Sequence, residues 1–220
     1  AEPDVRLRYL EAPDETIPDA IVIPGTKSTI PDLKRLKSAG FASHVVRCLE
    51  RGATVVGICG GYQMLGFRVS DPEGAESAAG AEEGLGLLPV TTVFGPGKTT
   101  TRVRAVHEES GAEVDGYEIH MGRSTPAPRP LFRITSRNGA ATEGWDGAAE
   151  GRVWGTYLHG LFDRPAFRRH FLNRLRAARG WEALPAAAPY DPDAEVDKLA
   201  AHVRAALDMD LVYRILRKQS

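Results

Sequence analysis

Apolar residues recur along this chain in short runs. Asp19-Ala-Ile-Val-Ile-Pro-Gly25 and Thr54-Val-Val-Gly-Ile-Cys59 each place apolar side chains at consecutive positions between turn residues. Runs of this length predict strands covered on both faces, as in a parallel sheet. Between them, 31–39 and 41–51 have helical spacing. The second puts Phe41, Val45, Cys48 and Leu49 on one face before Gly52 ends it, so Cys48 is predicted to be core. Gly60-Gly-Tyr-Gln-Met-Leu-Gly66 opens another helix directly after the second strand. Strand, helix, strand, helix in succession predicts an α/β fold with helices on both faces of a sheet.

Beyond Ser70 the pattern changes. Ser70 to Glu83 holds almost no large apolar residue and predicts an exposed loop outside the core. Short β-like runs follow at 87–94, 100–107, 117–121, 131–135 and 153–158, separated by glycine and proline turns, so the sheet is predicted to be mixed. Val5 to Leu10 alternates only loosely. Asp163 and Pro165 open an amphipathic helix carrying Phe167, Phe171 and Leu175 that closes near Gly180. An Ala/Pro-rich linker, 184–192, leads to a final helix from about Ala194, with Val196, Leu199, Val203, Leu207, Leu211, Ile215 and Leu216 in an apolar stripe. One domain over 1–180 is expected, with 181–220 as linker and helix packed on it.

Lys and Arg number 28 against 29 Asp and Glu, a balance that argues against nucleic acid or another polyanion as ligand. No run approaches the ~18 apolar residues of a membrane span. The acidic, proline-broken start is unlike a signal peptide, and a cytoplasmic location is expected. Two cysteines, Cys48 and Cys59, are too few for a disulfide framework or a structural zinc site, so each is read as a free thiol.

One of them sits where chemistry is expected. Cys59 lies at the junction of a buried strand and a glycine-flanked helix, the arrangement of a nucleophile elbow, and Gly57, Gly60 and Gly61 supply the small neighbours such a turn needs. A helix N-terminus favours thiolate, and backbone N–H groups there can stabilise an oxyanion. Among six histidines, His44, His170 and His202 fall in predicted helices and His107 at a strand end that reads as surface. His159 follows an apolar strand end and precedes Gly160, so it can project from the same sheet edge as the elbow and is the leading base. His120 competes, because Glu118 and His120 share a strand face and can form a polar pair. No cluster has zinc-ligand spacing and no metal is expected. Gly95-Pro-Gly-Lys-Thr99 resembles only the end of a phosphate-binding loop and precedes no helix.

Five blocks stand in family order: Ile23-Pro-Gly-Thr-Lys-Ser-Thr29, Gly57-Ile-Cys-Gly-Gly-Tyr-Gln-Met-Leu-Gly66, Glu83-Gly-Leu-Gly-Leu-Leu-Pro89, Gly116-Tyr-Glu-Ile-His-Met-Gly-Arg123 and Gly155-Thr-Tyr-Leu-His-Gly-Leu-Phe162. Together they resemble the cobyric acid synthase family. The resemblance implies a class I glutamine amidotransferase fold, flavodoxin-like, with a mostly parallel or mixed sheet and the elbow after a central strand. It implies that Cys59 attacks L-glutamine and His159 moves the protons. Gly25 and Gly60 would supply oxyanion donors, and Tyr62 and Gln63 would stand at the glutamine pocket. Ammonia would pass to an ATP-dependent synthetase domain, normally N-terminal and outside this segment, which amidates the b, d, e and g carboxylates of adenosylcobyrinic a,c-diamide. ATP and magnesium are expected only there. Most class I amidotransferases carry a glutamate two residues after the catalytic histidine; here that position is Leu161, as in this branch, and Glu118 is a candidate to orient His159 instead. The same elbow also resembles that of subunits that amidate peptidoglycan precursors, and a non-catalytic regulatory domain is the third reading.

Overall fold

A computed structural model describes residues 2–76, 80–186 and 192–217. Residues up to 187 form one compact unit and those from 188 another. In the first, β1 (Ala20–Ile23), β2 (Thr54–Ile58) and β10 (Val153–Thr156) lie side by side and parallel, with β9 (Ala148–Glu150) antiparallel on the β10 edge. Helices α1 (Thr29–Ser38), α2 (Phe41–Glu50) and α3 (Gly60–Leu65) follow the first two strands. Successive side chains on a strand face opposite ways. Val153 accordingly joins the core that holds Ile30, Leu33, Val45 and Leu65, whereas Trp154 packs against a second core with Phe132, Leu158 and Phe167. The sheet is thus covered on both faces, as the apolar runs predicted.

Of the later β runs, only the one at 153–158 joins the first sheet, as β10; the others build a second sheet. Its backbone is a long hairpin, β5 (Thr91–His107) and β6 (Glu113–Ser124), which absorbs the two runs read separately at 87–94 and 100–107. The other edge of β5 takes β3 (Arg68–Ser70) and β7 (Phe132–Arg137), with β4 (Ala81–Glu83) and β8 (Ala140–Asp146) outside them. Strand β8 had no counterpart in the sequence reading. Its signal was the turn Asn138-Gly139, both at positive φ, the pair a two-residue hairpin demands. Val5 to Leu10 forms no strand. Its neighbours Glu2 and Asp4 instead fix the segment to α4 (Pro165–Ala178) through Arg168, Arg169 and Arg176.

Two local expectations are corrected. His107 is buried, not at the surface, because the rings of Phe132, Phe167 and His170 close around it, and that burial lowers its pKa to about 4. Within the segment 70–83, Asp71 is buried and its carboxylate accepts from the Ala75 and Glu76 N–H groups at 2.6 and 2.8 Å. The second unit holds two helices where one was expected, α5 (Pro192–Ala206) and α6 (Met209–Arg217). Asp208 ends the first run by accepting the Leu211 N–H and starting a new helix.

Candidate active site

The three parallel strands deliver three residues to one place. Past their carboxyl ends stand Gly25 after β1, Cys59 after β2 and His159 after β10. A Cβ at Gly25 would lie 3.1 Å from His159 Cε1 and 3.4 Å from Cys59 Cβ, so glycine is what lets thiol and imidazole share this space. Cys59 itself has φ 51° and ψ −109°. Its N–H donates to Thr156 O at 2.8 Å and its carbonyl accepts from Gln63 N at 3.1 Å, which pins the elbow to β10 on one side and α3 on the other.

The second sheet supplies the wall. Strand β6 passes the elbow so that the Cys59 thiol donates to Ile119 O at 3.6 Å. Tyr117 and His159 exchange both backbone hydrogen bonds, at 3.2 and 2.9 Å, and their rings stack at 4.9 Å and 6° from parallel. Gly116 is required beside this bridge, since a Cβ there would collide with His159 O.

These contacts settle what holds His159. Paired residues across two strands point to the same face, so Tyr117 shares a face with His159 and Glu118 takes the other. Glu118 is buried and pairs with Arg137 at 3.3 Å. Burial lifts its pKa to about 7, with Arg137 pulling the other way. Among the described residues nothing joins Glu118 to His159, and the imidazole Nε2 is buried without a hydrogen-bond partner. Orientation therefore comes from the backbone bridge and the Tyr117 ring rather than from a carboxylate. Leu161 is buried in the second core. Nor do Glu118 and His120 form a pair: His120 Nδ1 bonds Gly122 O at 2.7 Å and its ring stacks on Tyr157 at 3.8 Å.

Behind the elbow lies a buried polar chain. Gln63 Nε2 donates to the Tyr157 hydroxyl at 3.1 Å, which bonds Ser124 Oγ at 2.8 Å, and Thr29 Oγ1 lies 3.1 Å from Gln63 Oε1. Gly122 keeps this chain in place, because a Cβ there would strike Gln63 Nε2. Tyr62 turns into the core, 3% exposed, edge-on to Tyr157. Asp146 was invisible in the sequence. Buried, it accepts from Thr156 Oγ1 and from Tyr157 N, and so fixes the strand end that carries His159.

Electrostatics correct one expectation. The Gly60 N–H favours thiolate at Cys59, but burial dominates and pushes the thiol up to about 11. Burial also lowers the pKa of His159. At neutral pH both groups therefore rest neutral, the thiol protonated and the imidazole unprotonated. Among the described residues no cluster could hold a metal ion, and no helix is long and apolar enough to cross a membrane.

The fold is that of the glutamine amidotransferases. Two solved structures share the fold at a TM-score of 0.51: a glutamine amidotransferase, 15% identical and matched over 72% of this chain and 79% of its own, and PurLQS from Thermotoga maritima, 19% identical over 71% and 80%. Residues 1–167 match the CobB/CobQ-like glutamine amidotransferase domain, and the chain belongs to that family. Among curated relatives, the cobyric acid synthase of Streptococcus sanguinis is 45% identical over 99% of this chain and 45% of its own length. That of Roseiflexus castenholzii is 46% identical over 94% and 42%. The chain spans less than half the length of these relatives.

Tyr117 yields a first prediction. Tyr117→Ala should lower kcat for glutamine hydrolysis by about ten- to a hundredfold with little change in KM, because the base loses its stacking surface. Tyr117→Phe should retain activity, and steady-state kinetics on both variants check this.

Proposed function

We propose that this chain is the glutamine-hydrolysing part of a cobyric acid synthase. The observation that carries the reading is the meeting of Gly25, Cys59 and His159 at one sheet edge. His159 takes the thiol proton as Cys59 Sγ attacks the glutamine amide carbon. The tetrahedral oxyanion is received by the backbone N–H groups near Gly25 and Gly60. His159 returns the proton to the departing nitrogen, ammonia leaves, and water hydrolyses the glutamyl thioester by the same route. Gln63 helps form the pocket. The ammonia serves a synthetase portion outside this segment, which uses ATP and magnesium to activate the b, d, e and g carboxylates of adenosylcobyrinic a,c-diamide in a cytoplasmic pathway.

The test is release of glutamate and ammonia from L-glutamine by the purified chain, alone and with the synthetase portion added. Mass spectrometry for a Cys59 adduct of diazo-oxo-norleucine supplies a readout independent of turnover. Neither turnover nor adduct, with the synthetase portion present, would refute the reading.

A pH profile follows from the two groups. The base is neutral imidazole, and burial holds the His159 pKa below the usual 6.5. The base form therefore persists to lower pH than in an ordinary histidine. Thus kcat/KM should be flat between about pH 7 and pH 9 and fall only below pH 6.5. Alkylation of Cys59 by iodoacetamide, which needs free thiolate, should keep rising toward pH 11.

A further inference from the structure

Strand β6 turns one face to the core and leaves the other open beside the nucleophile. Glu118 and Gly122 are buried, whereas Tyr117, Ile119 and Arg123, at the alternate positions, are exposed. Across the hairpin, Arg102 stands opposite Tyr117 and Val93 opposite Arg123, so these side chains share the outward face. Val93, Tyr117 and Ile119 are 46, 48 and 39% exposed, an apolar row of the kind that marks an interaction surface. The motif Gly95-Pro-Gly-Lys98 bulges out of β5 at the same place: Phe94 pairs with Gly122 and Thr99 with His120, so residues 95–98 stand over Met121 alone. The bulge carries the exposed Lys98. Among the described residues no carboxylate pairs with Lys98, Arg102 or Arg123, and Asp115, farther along the same face, is taken up by Arg104 at 3.5 Å and by Arg164.

The row adjoins the reacting groups: the Tyr117 ring stacks on His159, and Ile119 O accepts the Cys59 thiol. Ammonia released there is a nucleophile only until water protonates it, so whatever consumes it must cover this mouth. The chain covers 45% of the length of the Streptococcus sanguinis relative, which leaves room for such a partner in one polypeptide. We propose that the outward face of the β5–β6 hairpin docks the ammonia-consuming synthetase portion, which presents carboxylates to Lys98, Arg102 and Arg123 around an apolar centre received by Val93, Tyr117 and Ile119. Arginine beside exposed aromatic and aliphatic side chains is the composition of an interface, and complementary charge fixes its register. The proposal rests on glutamine hydrolysis at Cys59.

The experiment uses the full protein, this chain joined to its synthetase portion, with Arg102→Glu and Arg123→Glu combined. Amidation of adenosylcobyrinic a,c-diamide should fall about tenfold or more with glutamine as nitrogen source and stay near wild type with ammonium chloride. Arg102→Lys with Arg123→Lys, which keeps the charge, should retain most of the glutamine-dependent rate. In the isolated chain, the charge-reversed variant should be alkylated at Cys59 by diazo-oxo-norleucine as fast as wild type, and sedimentation should show monomers. Unchanged glutamine-dependent amidation, an equal loss with ammonium chloride, or slower alkylation of the isolated variant would overturn the proposal. So would a dimer of the isolated chain that charge reversal dissociates, since the face would then belong to a second copy. Wild type that fails to label at Cys59, or that amidates from neither nitrogen source, would refute the functional reading itself, a separate outcome.

Discussion

Cys59→Ala should abolish glutamate release from glutamine, by about 10⁴-fold or more, without harm to the fold. The loss follows because no other thiol can substitute: Cys48 is 0% exposed and packed against His44. The tolerance follows from the backbone. Among the described residues only Cys59 and Asn138 adopt positive φ without being glycine, and at φ 51°, ψ −109° the cysteine lies outside the ordinary left-handed well. Such a conformation costs on the order of 1–3 kcal/mol and is sustained by its surroundings, here the bonds to Thr156 and Gln63. Alanine keeps that cost; glycine removes it and loses somewhat more chain entropy. Cys59→Gly should therefore be as inactive as Cys59→Ala yet melt about 2–4 °C higher, as ~1 kcal/mol predicts for a unit of this size. Calorimetry on the two variants checks this. A glycine variant no more stable than the alanine variant would show that the elbow is unstrained.

What could be read from the sequence was what local pattern encodes. The apolar runs around Val22 and Val55 gave the parallel strands, and glycines beside a cysteine at a strand end gave the elbow. His159 was readable for the same reason, since an apolar strand ending in His-Gly places its side chain at the sheet edge. What escaped was set by distant pairing. The carbonyl that receives the thiol belongs to Ile119, whose position depends on the register of β6 against β5 and on its bridge to His159. Glu118 was a candidate orienter because strand periodicity gives the face a residue shares with its neighbours but not which face meets which partner. Asp146 and Glu76 look like surface carboxylates in sequence, and only the closing of β8 and of the 71–76 turn brings them inward. His107 was misjudged likewise, because the aromatic rings that bury it come from β7 and α4.

Gly61, two residues after Cys59, has no room for a side chain. Helix α3 meets the end of β1 at Gly61, where a Cβ would fall on Ile23 O and lie 2.6 Å from Ile23 C and 2.9 Å from Pro24 O. All three are backbone atoms, which cannot swing aside as a side chain would. Gly61→Ala must therefore push α3 away from β1, and that separation opens the elbow on one side and moves Gly25 on the other. Overpacking against rigid surroundings costs about 3 kcal/mol or more, equivalent to a fall of about 6–12 °C in melting temperature. Since Gly25 and Cys59 move apart in the same displacement, glutamine hydrolysis should also fall well below wild type in whatever fraction still folds. Gly95→Ala is the control, because a Cβ there meets nothing within 4 Å and should leave both melting and activity unchanged. Thermal melts and glutaminase assays on the pair separate a requirement for glycine at one close approach from a general sensitivity to added methyl groups. A Gly61→Ala protein as stable and active as wild type would mean that α3 does not rest on the β1 backbone.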